Sequence, residues 1–215
     1  MLIRVRIWVA LALTLVAASL AAFGIATGFG TYSDQTHNAG NAFSSAPSFA
    51  NTGYHSPSAD YAASGGNSDG FEENPTYAYL DDALYAANRH GSGDSHVFYG
   101  FGVAPPGGST IEGIRVRLDW WLDSNTADNG LSVQLSWDGG TTWGDVKADT
   151  VESTSEHTSI LGGAGDAWGR VWTPDELDDT KFRVRLTCDC SGGAECSSRD
   201  FYLDWVAVNV YYSSP

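Results

Sequence analysis

Residues 131–143, LSVQLSWDGGTTW, give the clearest indication of the fold in this sequence. Apolar residues at 131, 133, 135 and 137 alternate with polar residues at 132, 134 and 136. This period of two is typical of a β-strand with one face in a core and the other in water. Asp138, Gly139 and Gly140 predict a tight turn, because glycine tolerates positive φ and aspartate bonds to the backbone of its own turn. We expect residues 141–143 to start a second strand, so the stretch predicts a β-hairpin.

Five residues of this stretch have the spacing S-x-D-x-G-T-x-W: Ser136, Asp138, Gly140, Thr141 and Trp143. The spacing resembles the Asp-box hairpin of sialidases and other secreted β proteins. The resemblance implies that the serine and the aspartate tie the turn to the backbone and that the tryptophan packs beneath it. A sialidase propeller would repeat the box in several blades, whereas this chain has one copy. The resemblance therefore implies a structural hairpin and no activity.

The charge balance excludes two classes of partner. The 215 residues include 26 acidic and 11 basic residues, for a net charge of −15. Such a surface repels nucleic acid and anionic lipid, so neither is expected as a partner. The acidity fits either ordinary solubility or an exterior rich in salt or calcium.

The first residues predict export. Arg4 and Arg6 precede an uncharged, largely apolar run over residues 7–32 that contains several small residues. This order is typical of a secretory signal. The run is also long enough to span a bilayer, so an uncleaved anchor is the alternative. We assign residues 1–31 to a signal peptide or membrane anchor and predict a secreted or cell-surface location, with membrane contact only through that segment.

Two short elements follow the apolar run: Gly30–Asp34, and then Gly40, Asn41 and Phe43. They are similar to the junction of the camelysin/TasA-like secreted proteins. The resemblance implies a matrix or filament protein with a β-sandwich body, whose freed N-terminal segment pairs as a strand with the next subunit. Main-chain hydrogen bonds alone would then build a polymer, so self-association is expected. The residues assigned to this donor-strand arm are Tyr32, Asn41, Phe43 and Phe49.

The rest of the chain divides into a linker and a body. Residues 32–69 are small and polar with scattered Pro and Gly, which predicts a flexible tether or an extended arm. Residues 70–215 carry short apolar runs between turn-rich pieces, which predicts an all-β domain, a single antiparallel β-sandwich of the jelly-roll type. One short helix is expected at residues 173–179. The body also resembles a β-sandwich module of hypothetical exported proteins, which implies fold and location only.

Two predicted strands in the body pose specific questions. The strand at 114–122 has alternating apolar residues on one face and charged residues on the other, where Trp121 is the exception. Trp121 either packs against the stems of Arg115 and Arg117 or forms a stacking platform for a sugar ring. The last strand, residues 201–212, is apolar on both faces and is expected to be central. Its Asp204 needs a partner, which would be an arginine (Arg183, Arg185 or Arg199) or a bound calcium.

Three cysteines lie close together in the sequence TCDCSGGAEC: Cys188, Cys190 and Cys196. In an exported protein they predict a disulfide that closes a loop between two strands, either Cys190–Cys196 or Cys188–Cys196. The leftover thiol could link subunits. A three-cysteine zinc site lacks a fourth ligand nearby.

No catalytic set is evident, because the five histidines are scattered and no nucleophile-elbow or HExxH motif occurs. We therefore predict that the chain is not an enzyme and needs no cofactor, with calcium as the one candidate ion. Its candidate ligands are Asp123, Asn125 and Asp128, since hard oxygen atoms in a loop suit calcium.

The sequence is consistent with two hypotheses for the function. The leading hypothesis is a non-catalytic structural protein of the cell surface or extracellular matrix, assembling into filaments by donor-strand exchange. The alternative is a secreted carbohydrate-binding module that contacts cell-surface glycans through Trp121.

Overall fold

A computed structural model describes residues 49–67, 69–126, 128–190 and 199–214. Within these ranges the chain is almost entirely β. The strands are β1 Ala50–Asn51, β2 Ala59–Ala63, β3 Ala86–Asn88, β4 Ser95–Tyr99, β5 Thr110–Leu122, β6 Asn129–Ser136, β7 Lys147–Asp149, β8 His157–Gly162, β9 Arg183–Cys190 and β10 Phe201–Ser213. Two 3-10 helices, Pro75–Ala78 and Pro174–Leu177, complete the described elements.

The export signal or anchor predicted at residues 1–31, with its apolar helix, lies outside the described residues. Across the ranges that are described, no helix combines the length and the apolar character needed to cross a membrane.

The strands form two antiparallel sheets of five strands each. Sheet I has the order β1-β10-β5-β8, with β3 also paired to β10. Sheet II has the order β2-β4-β9-β6-β7. The two sheets enclose one apolar core, which confirms the predicted all-β antiparallel sandwich.

The core is built from the inward faces that the alternation predicts. On β5, every second residue from Ile114 to Leu122 is fully buried, and Leu131, Val133 and Leu135 of β6 are equally buried. Each such aliphatic side chain contributes about 1.5–3 kcal/mol by leaving water. The other face of β6 differs from the expectation, because Ser132 and Ser136 are also buried rather than in water.

Strand β10 is central, as predicted. It pairs with β5 along one side and with β3 and β1 along the other. Its register shifts between Leu203 and Trp205, which places Asp204 at an irregularity of the ladder. The Asp204 carboxylate accepts hydrogen bonds from the backbone N–H groups of Asp82 (3.4 Å) and Ala83 (3.2 Å). The predicted arginine partner is therefore wrong.

The folded unit begins before the predicted boundary at residue 70. Strands β1 and β2 both lie in the segment assigned to the linker, and β2 pairs with β4 over its whole length. The sequence of β2, ADYAA, has no clear alternation, so its strand conformation comes from pairing with β4 rather than from its own pattern.

Three further segments differ from the sequence prediction. Residues 141–143 are not a strand, and the partner strand β7 starts only at Lys147. Residues 75–78, within a run expected to be β, form a 3-10 helix, and strand β8 was not expected. The predicted helix near residue 173 is present as the 3-10 helix Pro174–Leu177, where the Glu176 carboxylate accepts the N–H of Thr173 at 2.8 Å.

Candidate functional site

The predicted hairpin turn is held by its own side chains. Ser136 Oγ accepts the N–H of Gly140 at 2.9 Å, and Asp138 Oδ1 accepts the N–H groups of Thr141 (3.1 Å) and Thr142 (2.8 Å). The hydrogen bonds from Thr142, Ser136 and Thr141 hold the pKa of Asp138 below its ordinary value. The serine and the aspartate thus tie the turn as the S-x-D-x-G-T-x-W spacing implies.

The tryptophan of the motif lies against an arginine of sheet II. The Arg185 Cζ atom lies over the Trp143 ring at 4.2 Å from its centroid, within the range of a cation–π interaction. Arg185 is on β9, and its side chain points away from the core, because the neighbouring Val184 and Leu186 point inward and are fully buried. The hairpin therefore places an indole on the outer face of sheet II.

A row of side chains crosses this outer face. Tyr61 of β2 is opposite Val97 of β4, Val97 is opposite Arg185, and Arg185 is opposite Gln134 of β6. The Tyr61 ring is 41% exposed. We call Tyr61, Gln134, Trp143 and Arg185 the Arg185 surface.

Gln134 connects the arginine to the hairpin. The Arg185 guanidinium donates a hydrogen bond to Gln134 Oε1, and Gln134 Nε2 donates to the Gly144 carbonyl oxygen at 2.9 Å. The guanidinium is thus held between an amide and an indole. Such fixed side chains need little reordering when they meet a ligand.

Gly140 makes room for the two rings of the surface. A Cβ atom on this glycine would lie 2.9 Å from the Tyr61 hydroxyl and 3.4 Å from Trp143. Its φ of +94° is also one that a side chain rarely tolerates. The glycine of the turn therefore has two roles: it permits the backbone conformation and it lets Tyr61 approach the hairpin.

Arg185 carries an uncompensated charge. Of the chain's 11 lysines and arginines, all but Arg4 and Arg6 lie in the described ranges. Arg185 forms no ion pair with a described carboxylate, its Nε atom is buried without a hydrogen-bond partner, and burial lowers its pKa. Five of the described cations do form ion pairs: Arg89, Arg117, Lys147, Arg170 and Arg199.

Trp121 belongs to a different cluster, on sheet I. Its ring centroid is 5.0 Å from that of Tyr85 and 5.4 Å from that of Tyr202, and Tyr85 meets both rings nearly edge-on. Arg117, expected beneath Trp121, instead lies over Trp205. We call Tyr85, Trp121 and Tyr202 the Trp121 cluster; its tyrosines were not predicted.

The Trp121 cluster offers a ligand little free aromatic surface. Tyr85 is 42% exposed, but it occupies part of the surface of the other two rings. The nearby cation Arg89 is already neutralised by Asp200 (2.8 Å) and Glu73 (2.9 Å).

A cavity of about 530 Å³ lies at the end of β6 and β9, lined among others by Asp128, Glu152 and Asp189. Asp128 is one of the predicted calcium ligands. Another, Asp123, accepts the N–H of Asp200 at 3.1 Å. In the described part of the chain no three His, Cys, Asp or Glu residues are grouped so as to hold a metal ion. A calcium site with Asn125 stays a prediction.

A serine, a histidine and an aspartate meet at the edge of the core, which the sequence did not reveal. His157 Nε2 is 2.9 Å from Asp149 Oδ2 and 3.5 Å from Ser159 Oγ. A nucleophilic relay needs the serine and the aspartate on opposite ring nitrogens, whereas here both approach the same one. The Ser159 hydroxyl donates to Asp149, so this group has a structural hydrogen-bond arrangement.

The cysteines are partly described. Cys188 is a free thiol, fully buried, and burial raises its pKa well above the ordinary value. This excludes the pairing Cys188–Cys196. Cys196 lies outside the described residues, so the pairing Cys190–Cys196 stays a prediction.

The donor-strand arm is mostly outside the described residues, which include Phe49 but not Tyr32, Asn41 or Phe43. Phe49 directly precedes β1, and β1 pairs with β10 of the same chain, Ala50 opposite Tyr212. Exchange of a strand between subunits stays a prediction.

Comparisons with known proteins return no matching family model and no matching curated protein. Several solved structures are similar at low identity, among them the following three. A structure of CBM4 is 16% identical, with 59% of this chain and 82% of that chain covered and a TM-score of 0.37. TmCBM61 with β-1,4-galactotriose is 12% identical, with 72% and 90% covered and a TM-score of 0.37. The xylan-binding module CBM15 is 13% identical, with 63% and 81% covered and a TM-score of 0.36. Similarities this weak carry no argument about the function of this chain.

Proposed function

We propose that the chain is a non-catalytic carbohydrate-binding β-sandwich and that it binds a glycan on the Arg185 surface. The observation that carries the proposal is an exposed tyrosine, Tyr61, in the same row as the Arg185 guanidinium, which lies over the Trp143 indole and has no acidic partner among the described residues. A sugar ring presents apolar C–H groups to an aromatic face and hydroxyl groups to polar side chains. Binding sites for small molecules have this composition, aromatic walls with a few placed polar groups.

The Arg185 surface supports this function better than the Trp121 cluster for two physical reasons. Its exposed ring stands beside hydrogen-bond donors of Arg185 that have no partner among the described residues. In the Trp121 cluster each ring packs against the other two at 5.0–5.4 Å and the adjacent Arg89 is neutralised, whereas Tyr61 contacts one further ring, that of Tyr99, at 6.0 Å. The Trp121 cluster is the second candidate location for the same function.

The test compares two matched variants, Tyr61→Ala and Tyr85→Ala. The two tyrosines are exposed to nearly the same extent, 41% and 42%, but Tyr61 lies on β2 of sheet II, whereas Tyr85 precedes β3 and packs on Trp121 and Tyr202 of sheet I. Removing an aromatic anchor from a binding site costs about tenfold or more in affinity. We expect Tyr61→Ala to lose retention in affinity gels containing soluble polysaccharides, and Tyr85→Ala to keep it.

The outcomes of this test are distinct. Loss of retention only in Tyr85→Ala would move the site to the Trp121 cluster. Absence of retention of the unaltered protein by every polysaccharide in a broad panel would contradict glycan binding itself and favour the filament hypothesis, which concerns residues mostly outside the described ranges.

A further inference from the structure

Arg185 stands out in the electrostatics of the molecule. The chain has 26 acidic residues against 11 basic ones, so carboxylates outnumber the cations by more than two to one. A half-buried guanidinium without a carboxylate partner is costly, because burial penalises the charge, and an amide oxygen and an indole ring compensate it only in part. Even in so acidic a chain, none of the described carboxylates forms an ion pair with Arg185.

The other cations beyond the ion pairs are accounted for differently. Arg183 donates hydrogen bonds to the carbonyl oxygens of Asp179 (2.7 Å), Phe182 (2.8 Å) and Thr180 (3.0 Å). Lys181 is exposed to solvent. Arg115, on sheet I, resembles Arg185: its buried Nε has no hydrogen-bond partner among the described residues, and its guanidinium lies over an aromatic ring, that of Tyr211 at 5.1 Å.

Arg115 differs from Arg185 in its surroundings. The Tyr211 ring beneath it is only 9% exposed, whereas Arg185 has the exposed Tyr61 in its row. Among the cations that the structure describes, Arg185 alone therefore combines a charge without a carboxylate partner with an exposed aromatic ring in its row.

The overall charge limits which anion fits. A densely charged polymer such as polygalacturonate would be repelled by a protein with a net charge of −15. A single carboxylate is different, because charges beyond about 8 Å are largely screened at physiological salt and the local guanidinium decides the interaction.

From these observations, and resting on the proposed function, we infer that the Arg185 surface recognises a glycan with isolated carboxylates, a neutral backbone that carries occasional uronic acid groups. The uronate oxygens pair with the Arg185 guanidinium, and the adjoining sugar ring packs on Tyr61. Gln134 holds the guanidinium in place through its Oε1 atom.

The test uses glucuronoxylan and a glucuronic-acid-bearing arabinogalactan, each compared with its own carboxyl-reduced form, which has the same backbone without the charge. We expect the full-length protein to bind at least one acidic form about tenfold or more tightly than its reduced form. Arg185→Gln should remove this preference, and the matched variant Arg115→Gln should retain it. Circular dichroism of each variant checks that it folds.

Three outcomes would overturn the inference. Equal binding of acidic and reduced polymers, lost in Tyr61→Ala, would leave glycan binding intact and remove the carboxylate from it. Loss of the preference in Arg115→Gln but not in Arg185→Gln would move the anion site to sheet I. Binding to no polymer in either form would contradict both the inference and the proposed function.

Discussion

His96 links three parts of the molecule through a buried hydrogen-bond network. Its Nδ1 accepts the N–H of Phe71 at 3.1 Å, so Nε2 carries the proton and donates to Asp60 Oδ1 at 2.8 Å. The other Asp60 oxygen accepts the Tyr79 hydroxyl at 2.5 Å. Protonation of Nδ1 would remove the acceptor of the Phe71 N–H, and burial accordingly lowers the pKa of His96 below its ordinary value of 6.5.

This lowered pKa predicts an acid-sensitive stability. The unfolded chain takes up a proton at pH values where the folded chain does not, so the free energy of unfolding falls as the pH drops below about 6.5, the value in the unfolded chain. The loss from this group is at most about 1.4 kcal/mol per pH unit.

The check is denaturant unfolding at several pH values between about 7.5 and 5.5. His96→Gln keeps an acceptor and a donor but does not titrate. We expect the variant to show a flatter pH dependence over this window than the unaltered protein. Equal slopes in both would contradict the assignment to His96.

At the scale of elements, the hairpin after β6 shapes the candidate site as well as the fold. Gly139 and Gly140 both have positive φ, +79° and +94°. A Cβ on Gly139 would meet only the Thr180 carbonyl oxygen at an ordinary 3.6 Å, whereas one on Gly140 would collide with the Tyr61 hydroxyl. Gly139 is therefore required only by the turn, whereas Gly140 is required by both the turn and the Arg185 surface.

The corresponding variants are Gly139→Ala and Gly140→Ala. We expect each to lower the free energy of unfolding by about 1 kcal/mol, because both place a side chain in the left-handed region. Only Gly140→Ala should weaken glycan binding, by about two- to tenfold, because it displaces Tyr61 from its contact with the hairpin. A similar loss of binding in both would show that turn strain, rather than Tyr61, is responsible.

Some features of these strands and turns could be predicted from the sequence, and others could not. The alternation in β5 and β6 predicted the buried faces correctly, because alternate residues of a strand point to opposite faces of the sheet. The turn hydrogen bonds of Ser136 and Asp138 were predictable for the same reason, since they join residues close in sequence. The Arg185 surface was not, because strand order and register bring Tyr61, Gln134 and Arg185 together from three separate strands. Trp121 could be identified from the sequence as the one aromatic residue on a charged strand face. Its neighbours Tyr85 and Tyr202 could not, because they lie in other parts of the sequence.

At the scale of the whole molecule, the sandwich depends on the segment that the sequence assigned to a linker. Strand β2 pairs with β4 at the edge of sheet II and supplies both Asp60, the partner of His96, and Tyr61 of the candidate site. Without β2, the β4 edge would be exposed and His96 would lose the acceptor of its Nε2 proton.

Two shortened chains test this dependence. A protein comprising residues 46–215 should unfold cooperatively and bind glycan. One comprising residues 70–215 should be less stable by several kcal/mol, on the order expected for a lost edge strand and a broken buried network, or should fail to fold. Thermal unfolding followed by circular dichroism compares them, and equal stability would mean that the sandwich starts near residue 70 after all.

Glycan binding on the Arg185 surface is tested most directly by a nuclear magnetic resonance titration of the protein with the oligosaccharide unit of the glycan that it binds most tightly. Each of the eight tryptophans gives one indole N–H signal, and the variants Trp143→Phe and Trp121→Phe assign two of them. We expect the signals of the Trp143 indole and the Arg185 Nε–H to shift on titration while that of the Trp121 indole stays unchanged. Shifts confined to the Trp121 cluster, or none at either surface, would contradict this expectation.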